Sequence, residues 1–275
     1  MHFTREESLD ALRGTVDAGE PIVGAGAGTG ISAKFAERGG VDLLIIYNSG
    51  RYRMAGRGSL AGLLPYGDAN EIVVEMGGEV LPVVEDTPVL AGVCGTDPFR
   101  EIDVFLPELK RQGFTGVQNF PTVGLIDGSF RDNLEETEMS FEREVELIEK
   151  ANDLDMLTCP YVFDEDQARD MTAAGADIVV AHMGLTTSGD IGAETALDLD
   201  GAAERVQKIH DAAIDEREDV LVICHGGPIV EPEDARHVFA NTEDVVGFFG
   251  ASSIERLPTE RAIEEQAERF KDLSV

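Results

Sequence analysis

The sequence predicts an α/β fold: a single (β/α)8 TIM barrel over residues 1–275, with an extra N-terminal helix in 1–20 and the barrel proper in 21–272. Three observations carry that expectation. Eight short apolar runs are bounded by turn residues, the pattern of strands buried on both faces. Helical spacing follows most of them, and strict alternation of strand and helix produces a parallel sheet. No Pro/Ser-rich linker or shift of composition divides the units, so eight of them are expected to close into one barrel.

The elements can be justified in order. Leu9, Leu12 and Val16 have helical spacing, and Thr4 followed by Glu7 forms a capping box, so Thr4 to Gly19 reads as a helix that plugs or flanks the fold. Pro21 to Gly30 is a strand running into glycines, Ile31 to Arg38 a helix, and Asp42 to Ile46 a second strand that ends at Tyr47-Asn48-Ser49-Gly50. Further strands are Thr87 to Cys94, Gly116 to Phe120, Met156 to Cys159, Asp177 to Ala181, Asp219 to Cys224 and Val245 to Phe249. Helices are read at Glu101 to Arg111, Phe141 to Leu154, Asp166 to Ala174, Leu199 to Glu216, Glu233 to Ala240 and Thr259 to Asp272. Two connections, Ser49 to about Asn70 and Thr122 to about Glu138, exceed the usual loop length and are lid candidates over the barrel mouth.

Composition narrows the function classes. The 54 Asp and Glu against 22 Lys and Arg give a formal charge of −32, which argues against a nucleic-acid partner. The acids are spread over every polar face, as in a solvated coat, and the composition resembles that of haloarchaeal proteins. No apolar run spans a membrane and no signal peptide is visible, so a cytoplasmic protein without a membrane partner is expected. Cys94, Cys159 and Cys224 sit in or beside apolar runs and read as small buried residues rather than a disulfide framework.

A parallel barrel collects its chemistry at the carboxyl ends of the strands. There the sequence offers Tyr47, Asn48, Asp97, Gln118, Asn119, Thr122, Tyr161, His182, His225, Ser252 and Ser253. His182 shares strand parity with Ile178 and Val180, and His225 with Leu221 and Ile223, so each histidine follows its strand's alternate residues. A lone histidine is commonly a packed, hydrogen-bonded residue; two at adjacent strand ends point to proton transfer. His2, His210 and His237 lie away from strand ends and are expected to be inert. Gly226-Gly227-Pro228 and Gly250-Ala251-Ser252-Ser253 occupy the usual barrel phosphate position, where glycines let backbone N–H groups approach an anion; tight turns are the alternative. Arg51 and Arg53 suit a carboxylate or phosphate, or else pair with the acidic coat. Gly24 to Gly30 only loosely fits a dinucleotide fingerprint, and no acid closes the next strand, so NAD is rejected. Asp97 is the single carboxylate at a strand end, and no cluster has metal-ligand spacing.

Taken together, Gly26 to Lys34, Tyr47 to Arg53, Cys94 to Pro98, Val117 to Thr122, Ala181 to Gly184, His225 to Pro228 and Gly250 to Ser253 resemble the phosphoenolpyruvate hydrolase-like family of TIM barrels from about Ile22 to Phe270. That family is distantly similar to the phosphoenolpyruvate mutase and isocitrate lyase superfamily. The resemblance implies an enzyme acting on a small phosphorylated or carboxylated acid, a hydrolase or lyase. His225, His182 and Asp97 would be catalytic, and Gly226, Gly227, Gly250, Ser252, Ser253, Tyr47, Asn48, Arg51, Arg53, Gln118 and Asn119 would bind the substrate or its phosphate. The superfamily carries acidic magnesium ligands after its third strand, where this chain has Gly92-Val93-Cys94-Gly95-Thr96-Asp97, so Asp97 is the residue left to hold magnesium. Its lyase-type cysteine motif is absent. Two alternatives stay open: a non-catalytic ligand-sensing barrel, and a magnesium-dependent C–C or P–C lyase or isomerase. The expected partner is a small anionic ligand, and a homo-oligomer is expected.

Overall fold

The computed structural model describes residues 3–194 and 197–275; His2 lies outside the described residues. In chain order the first elements are α1 (Arg5–Asp17), β1 (Ile22–Gly26), α2 (Gly30–Arg38), β2 (Leu43–Ile46), α3 (Asn48–Met54), α4 (Ala69–Val80) and β3 (Val89–Val93). Then follow α5 (Ile102–Gln112), β4 (Gly116–Asn119), α6 (Gly128–Glu136), α7 (Phe141–Asp153), β5 (Leu157–Thr158), β6 (Tyr161–Val162) and α8 (Glu165–Ala173). The chain finishes with β7 (Ile178–His182), α9 (Leu199–Glu216), β8 (Leu221–His225), α10 (Pro232–Ala240), β9 (Gly247–Gly250) and α11 (Leu257–Lys271).

Every strand pairing is parallel, in the order β5-β4-β3-β2-β1-β9-β8-β7-β6. The two ends of that order, β5 and β6, are separated in the chain only by Cys159 and Pro160, so the sheet curls until its ends share one segment. Cys159 N–H donates to Val117 O on one side at 3.0 Å, and Val180 N–H donates to Pro160 O on the other at 2.9 Å. Where the sequence reading has one strand ending at Cys159, the structure has two short segments on either side of Cys159 and Pro160. Pro160 has no N–H to give a ladder, and the segment forms two dipeptide strands, so the described residues hold nine strands where eight were expected.

The strands are buried, as their apolar runs require: Leu43 to Ile46, Leu90, Val180 and Ile223 are completely covered. Helix α1 forms as expected, with both halves of the Thr4/Glu7 capping box present. Its Arg5 grips Asp177, just before β7, with two hydrogen bonds of 2.9 and 2.7 Å, so the helix lies across the amino edge of the sheet. The two lid candidates are not featureless. The first contains α3, a 3-10 turn at Ser59–Leu63 and the start of α4; the second contains a 3-10 turn at Val123–Leu125 and α6. Helix α4 has no counterpart in the sequence reading, although Asp68 caps it and Val73, Met76 and Val80 bury one face at helical spacing. Helix α11 buries only Leu257 and leaves Ile263 and Phe270 exposed. Among the described residues, no helix is long and apolar enough to cross a membrane.

Candidate active site

Strands β7 and β8 pair in a register that sets His182 directly beside His225. Their rings meet edge to face with centroids 4.7 Å apart. Each ring is fixed by a different kind of backbone group. Gly184 N–H donates to His182 Nδ1 at 3.0 Å, and an N–H can only donate, so His182 carries its proton on Nε2. His225 Nδ1 lies 2.6 Å from Phe249 O, and a carbonyl can only accept, so His225 carries its proton on Nδ1 and keeps a lone pair on Nε2. The neighbours are thus opposite tautomers, one offering N–H and the other a base. Burial pushes both away from the charged form. His225 is lowered to about 4, chiefly by burial and further by the nearby Arg53. His182 falls well below the usual imidazole range through burial and the adjacent His225.

Around the pair lies a narrow, nearly filled cleft, smaller than an ordinary ligand pocket. Tyr161 packs against both imidazoles, at 4.8 and 5.1 Å between ring centroids, and its hydroxyl lies 3.5 Å from that of Tyr47. Burial holds the Tyr161 hydroxyl protonated, well above the usual phenol range. Arg53 enters from α3, its guanidinium 5.3 Å from the centre of the Tyr47 ring and its side chain 1% exposed. One of its nitrogens, Nη2, donates to Glu255 at 3.2 Å; another, Nε, is buried without a partner among the described residues. Glu255 itself is saturated, since it also accepts from Gly28 N–H and Ser32 Oγ–H. Ser252, at the head of the π-turn Ser252–Arg256 that carries Glu255, lines the cleft. Ser59 and Leu60 from one lid candidate and Leu125 from the other complete its rim, so both long connections reach the site.

Nine of the expected site residues stand elsewhere or do other work. Asp97 lies outside this cleft, accepting from Asn70 Nδ2 and Phe99 N–H at 2.9 Å each, with Arg100 at 3.8 Å. Arg51 points to solvent and pairs with Glu75, the pairing that its chemistry left open. Asn119 spends its amide on the sheet junction: it donates to Tyr161 O and Glu144 and accepts from Tyr161 N–H. Ser253 faces an outer apolar groove beside Phe239 and Phe248. Gly226 and Gly227 take positive φ, and a Cβ on either would collide with the carbonyls of Gly184 and Met183. Gly227 N–H is spent on Gly184 O at 2.8 Å, and Thr187 N–H donates to Gly227 O at 3.2 Å, so this turn braces the 183–187 segment. Gly250 is a β9 residue packed on Ile254. Asn48 and Gln118 act from behind: Asn48 Nδ2 holds Gly62 O at 2.8 Å, and Gln118 Nε2 holds Cys159 O at 3.1 Å. Asn48 thereby fixes the turn that carries Ser59 and Leu60. Of the expected set, the cleft brings together His182, His225, Tyr47, Arg53 and Ser252.

The sequence reading gave no role to Glu255 or Glu144. Glu144 on α7 is wholly buried and accepts from Asn119 Nδ2 and Val123 N–H at 2.6 and 2.8 Å, and burial raises it to about 7. Neither had a distinguishing signal among 54 acids. The cysteines behave as expected: they are free thiols, with Cys94 pushed by burial to about 11 and Cys224 to about 12.

Magnesium requires hard oxygen ligands, ordinarily one or two carboxylates. No carboxylate lines the histidine cleft, and no group of three His, Cys, Asp or Glu is disposed to hold a metal among the described residues. Asp97 is engaged by Asn70 and Phe99 away from the histidines. The residues present do not fit a divalent cation in this cleft.

Fold and site place the chain among curled parallel α/β proteins with their polar cleft at the carboxyl strand ends. Solved structures share that fold. The phosphoenolpyruvate phosphomutase of Streptomyces platensis subsp. rosaceus superposes with a TM-score of 0.62 at 18% identity, over 96% of this chain and 88% of that one. Phosphonopyruvate hydrolase in complex with oxalate and Mg++ gives 0.57 at 15% identity, over 96% and 88%. More particularly, the chain belongs to the phosphoenolpyruvate hydrolase-like family, whose sequence model matches residues 7–273. The motif resemblance is thus borne out. ToMV resistance protein Tm-1(GCR237) of Solanum lycopersicum is 60% identical over 267 residues, 97% of this chain but 35% of that protein. The chain therefore spans about a third of the length of this curated relative.

Proposed function

We propose that the chain is an enzyme that exchanges a proton with a small phosphorylated or carboxylated acid, His225 acting as base at Nε2 and His182 as donor from its Nε2–H. The observation that carries this reading is the pair of opposite tautomers on adjacent strand ends. A proton taken by His225 Nε2 turns that ring into the imidazolium that returns it, while the neutral His182 beside it steadies the developing oxyanion by a hydrogen bond from Nε2–H. Both rings are neutral near pH 7, so base and donor are present without prior deprotonation. An anionic substrate beside them favours the imidazolium and raises the basicity that burial has taken away. Tyr47 and Tyr161 would orient the substrate, and the Ser59–Leu63 turn would exclude water. We read Leu157 to Val162 as one barrel strand broken at Pro160, which makes the fold an eight-unit barrel and the chain one domain.

The test is turnover. Phosphoenolpyruvate, oxaloacetate and pyruvate are offered to the wild type, following phosphate release and exchange of substrate C–H for deuterium by NMR. His225→Ala is expected to lower kcat on the order of 100- to 10,000-fold. No turnover of any of these acids, or an unchanged rate in His225→Ala, would refute the proton-transfer role; tight binding without turnover would make the chain a ligand-sensing barrel.

A further inference from the structure

We infer that this cleft neutralises its anionic ligand with the buried guanidinium of Arg53 in place of a divalent cation, and that Glu255 is the residue that positions that guanidinium. The inference rests on the proposed site for its location, but not on turnover there.

The donor set is the first observation. Tyr47, Arg53, Tyr161, His182, His225 and Ser252, with Ser49, Ser59 and Thr186, are the polar groups of the cleft; the charge among them is the Arg53 guanidinium, ion-paired with the buried Glu255, and no carboxylate lines the cleft. A doubly charged cation would sit beside a guanidinium with no acidic ligand facing it, which is repulsive. An anion meets the reverse situation.

The state of Arg53 is the second. Its side chain is 1% exposed and Nε has no partner among the described residues. A buried N–H left unpaired carries a desolvation cost that a ligand oxygen would remove. Guanidinium N–H groups suit the planar oxygens of a carboxylate and also those of a phosphate.

Glu255 supplies the third. It lies 3% exposed in the π-turn after β9 and accepts from Gly28 N–H and Ser32 Oγ–H on the β1–α2 connection. Its remaining oxygen receives Arg53 Nη2 at 3.2 Å. The guanidinium is therefore tied to two rigid elements on one side and laid over Tyr47 on the other, 5.3 Å from the ring centre. Glu255 touches no cleft space itself, so it acts through Arg53.

Calorimetric titration of the chain with oxalate, and separately with inorganic phosphate, tests this. In the wild type the affinity for whichever probe binds is expected to agree within about twofold between EDTA and excess magnesium. Arg53→Gln is expected to weaken it on the order of 100-fold, and Arg53→Lys, which keeps charge without the fork, about tenfold. Glu255→Gln should weaken binding about tenfold when Arg53 is present and have no added effect in the Arg53→Gln background, a non-additivity that a purely structural role does not produce. Stronger oxalate than phosphate binding assigns the anion as a carboxylate, and the reverse order as a phosphate. Binding that requires magnesium, undiminished binding by Arg53→Gln, or no binding of either probe overturns the inference. If Arg53→Gln does not fold, the EDTA comparison and Arg53→Lys decide. Metal-independent binding without turnover removes the enzyme reading alone, whereas turnover abolished by EDTA removes this inference alone.

Discussion

On the β7–β9 side of the carboxyl edge, His182, His225, Arg53 and Ser252 converge on a cleft; on the β3–β4 side, Asp97, Asn70, Asn119 and Glu144 converge on one another. Both groups stand at strand ends or on the helices and loops that follow them, and both are largely buried. They differ in what their polar atoms have left to give. Asn119 uses its amide on three hydrogen bonds, and Glu144 accepts from Asn119 and Val123. Asp97 is met by Asn70 and Phe99. Across the edge, each histidine spends only Nδ1 on the backbone, and Arg53 keeps an unpartnered Nε. Buried polar groups are normally satisfied, so the unpartnered Nε of Arg53 beside the two histidines supports a ligand place there; Gln118 Oε1 on β4 is likewise buried without a partner among the described residues. Position at a strand end points to the edge; the hydrogen-bond inventory supports the proposed site within it.

Titration sharpens the contrast most. His225 is depressed from 6.5 to about 4, so the stability it contributes is present above pH 6.5 and is lost as pH falls through 4. At about 1.4 kcal/mol per pH unit, this amounts to about 3 kcal/mol. Glu144 is raised from 4.5 to about 7, so its contribution is present below pH 4.5 and is lost as pH rises through 7, a loss of similar size at about 1.4 kcal/mol per pH unit. Urea unfolding across pH 4 to 8 should therefore show His225→Gln removing the loss of stability on the acid side and Glu144→Gln removing the fall in stability toward neutrality. Identical pH profiles in the two variants would erase the distinction between the halves.

A smaller effect is expected from Asp97→Asn. Asn70 and Phe99 donate to different oxygens of Asp97, so the single amide oxygen can keep one of the two hydrogen bonds and stability should fall by about 1 to 2 kcal/mol. Turnover, and its indifference to EDTA, should be unchanged. A large loss of activity would return Asp97 to the site.

Much of this was legible in the chain. Thr4 and Glu7 announce the capped first helix, and the apolar runs place the strands because burial on both faces leaves no room for polar residues. His182 and His225 could be paired from strand parity alone, since parallel neighbours keep a fixed register. Asp97 looked like a ligand because its satisfying partner, Asn70, comes from α4, a helix not read in the sequence. Gly226 and Gly227 looked like an anion turn, but the requirement for glycine comes from carbonyls more than 40 residues earlier. Pro160 carried a usable signal, because proline cannot continue a central ladder. Glu255 carried none. Its partners Gly28, Ser32 and Arg53 lie some 200 residues away, and only folding brings them together.

The central claim is that the two imidazoles are neutral and oppositely protonated, and nitrogen-15 NMR of the histidine side chains at pH 7 reads this directly. The account predicts a protonated Nδ1 with a bare Nε2 for His225, and the reverse for His182. Matching tautomers, or an imidazolium at either position in the ligand-free chain, would contradict it.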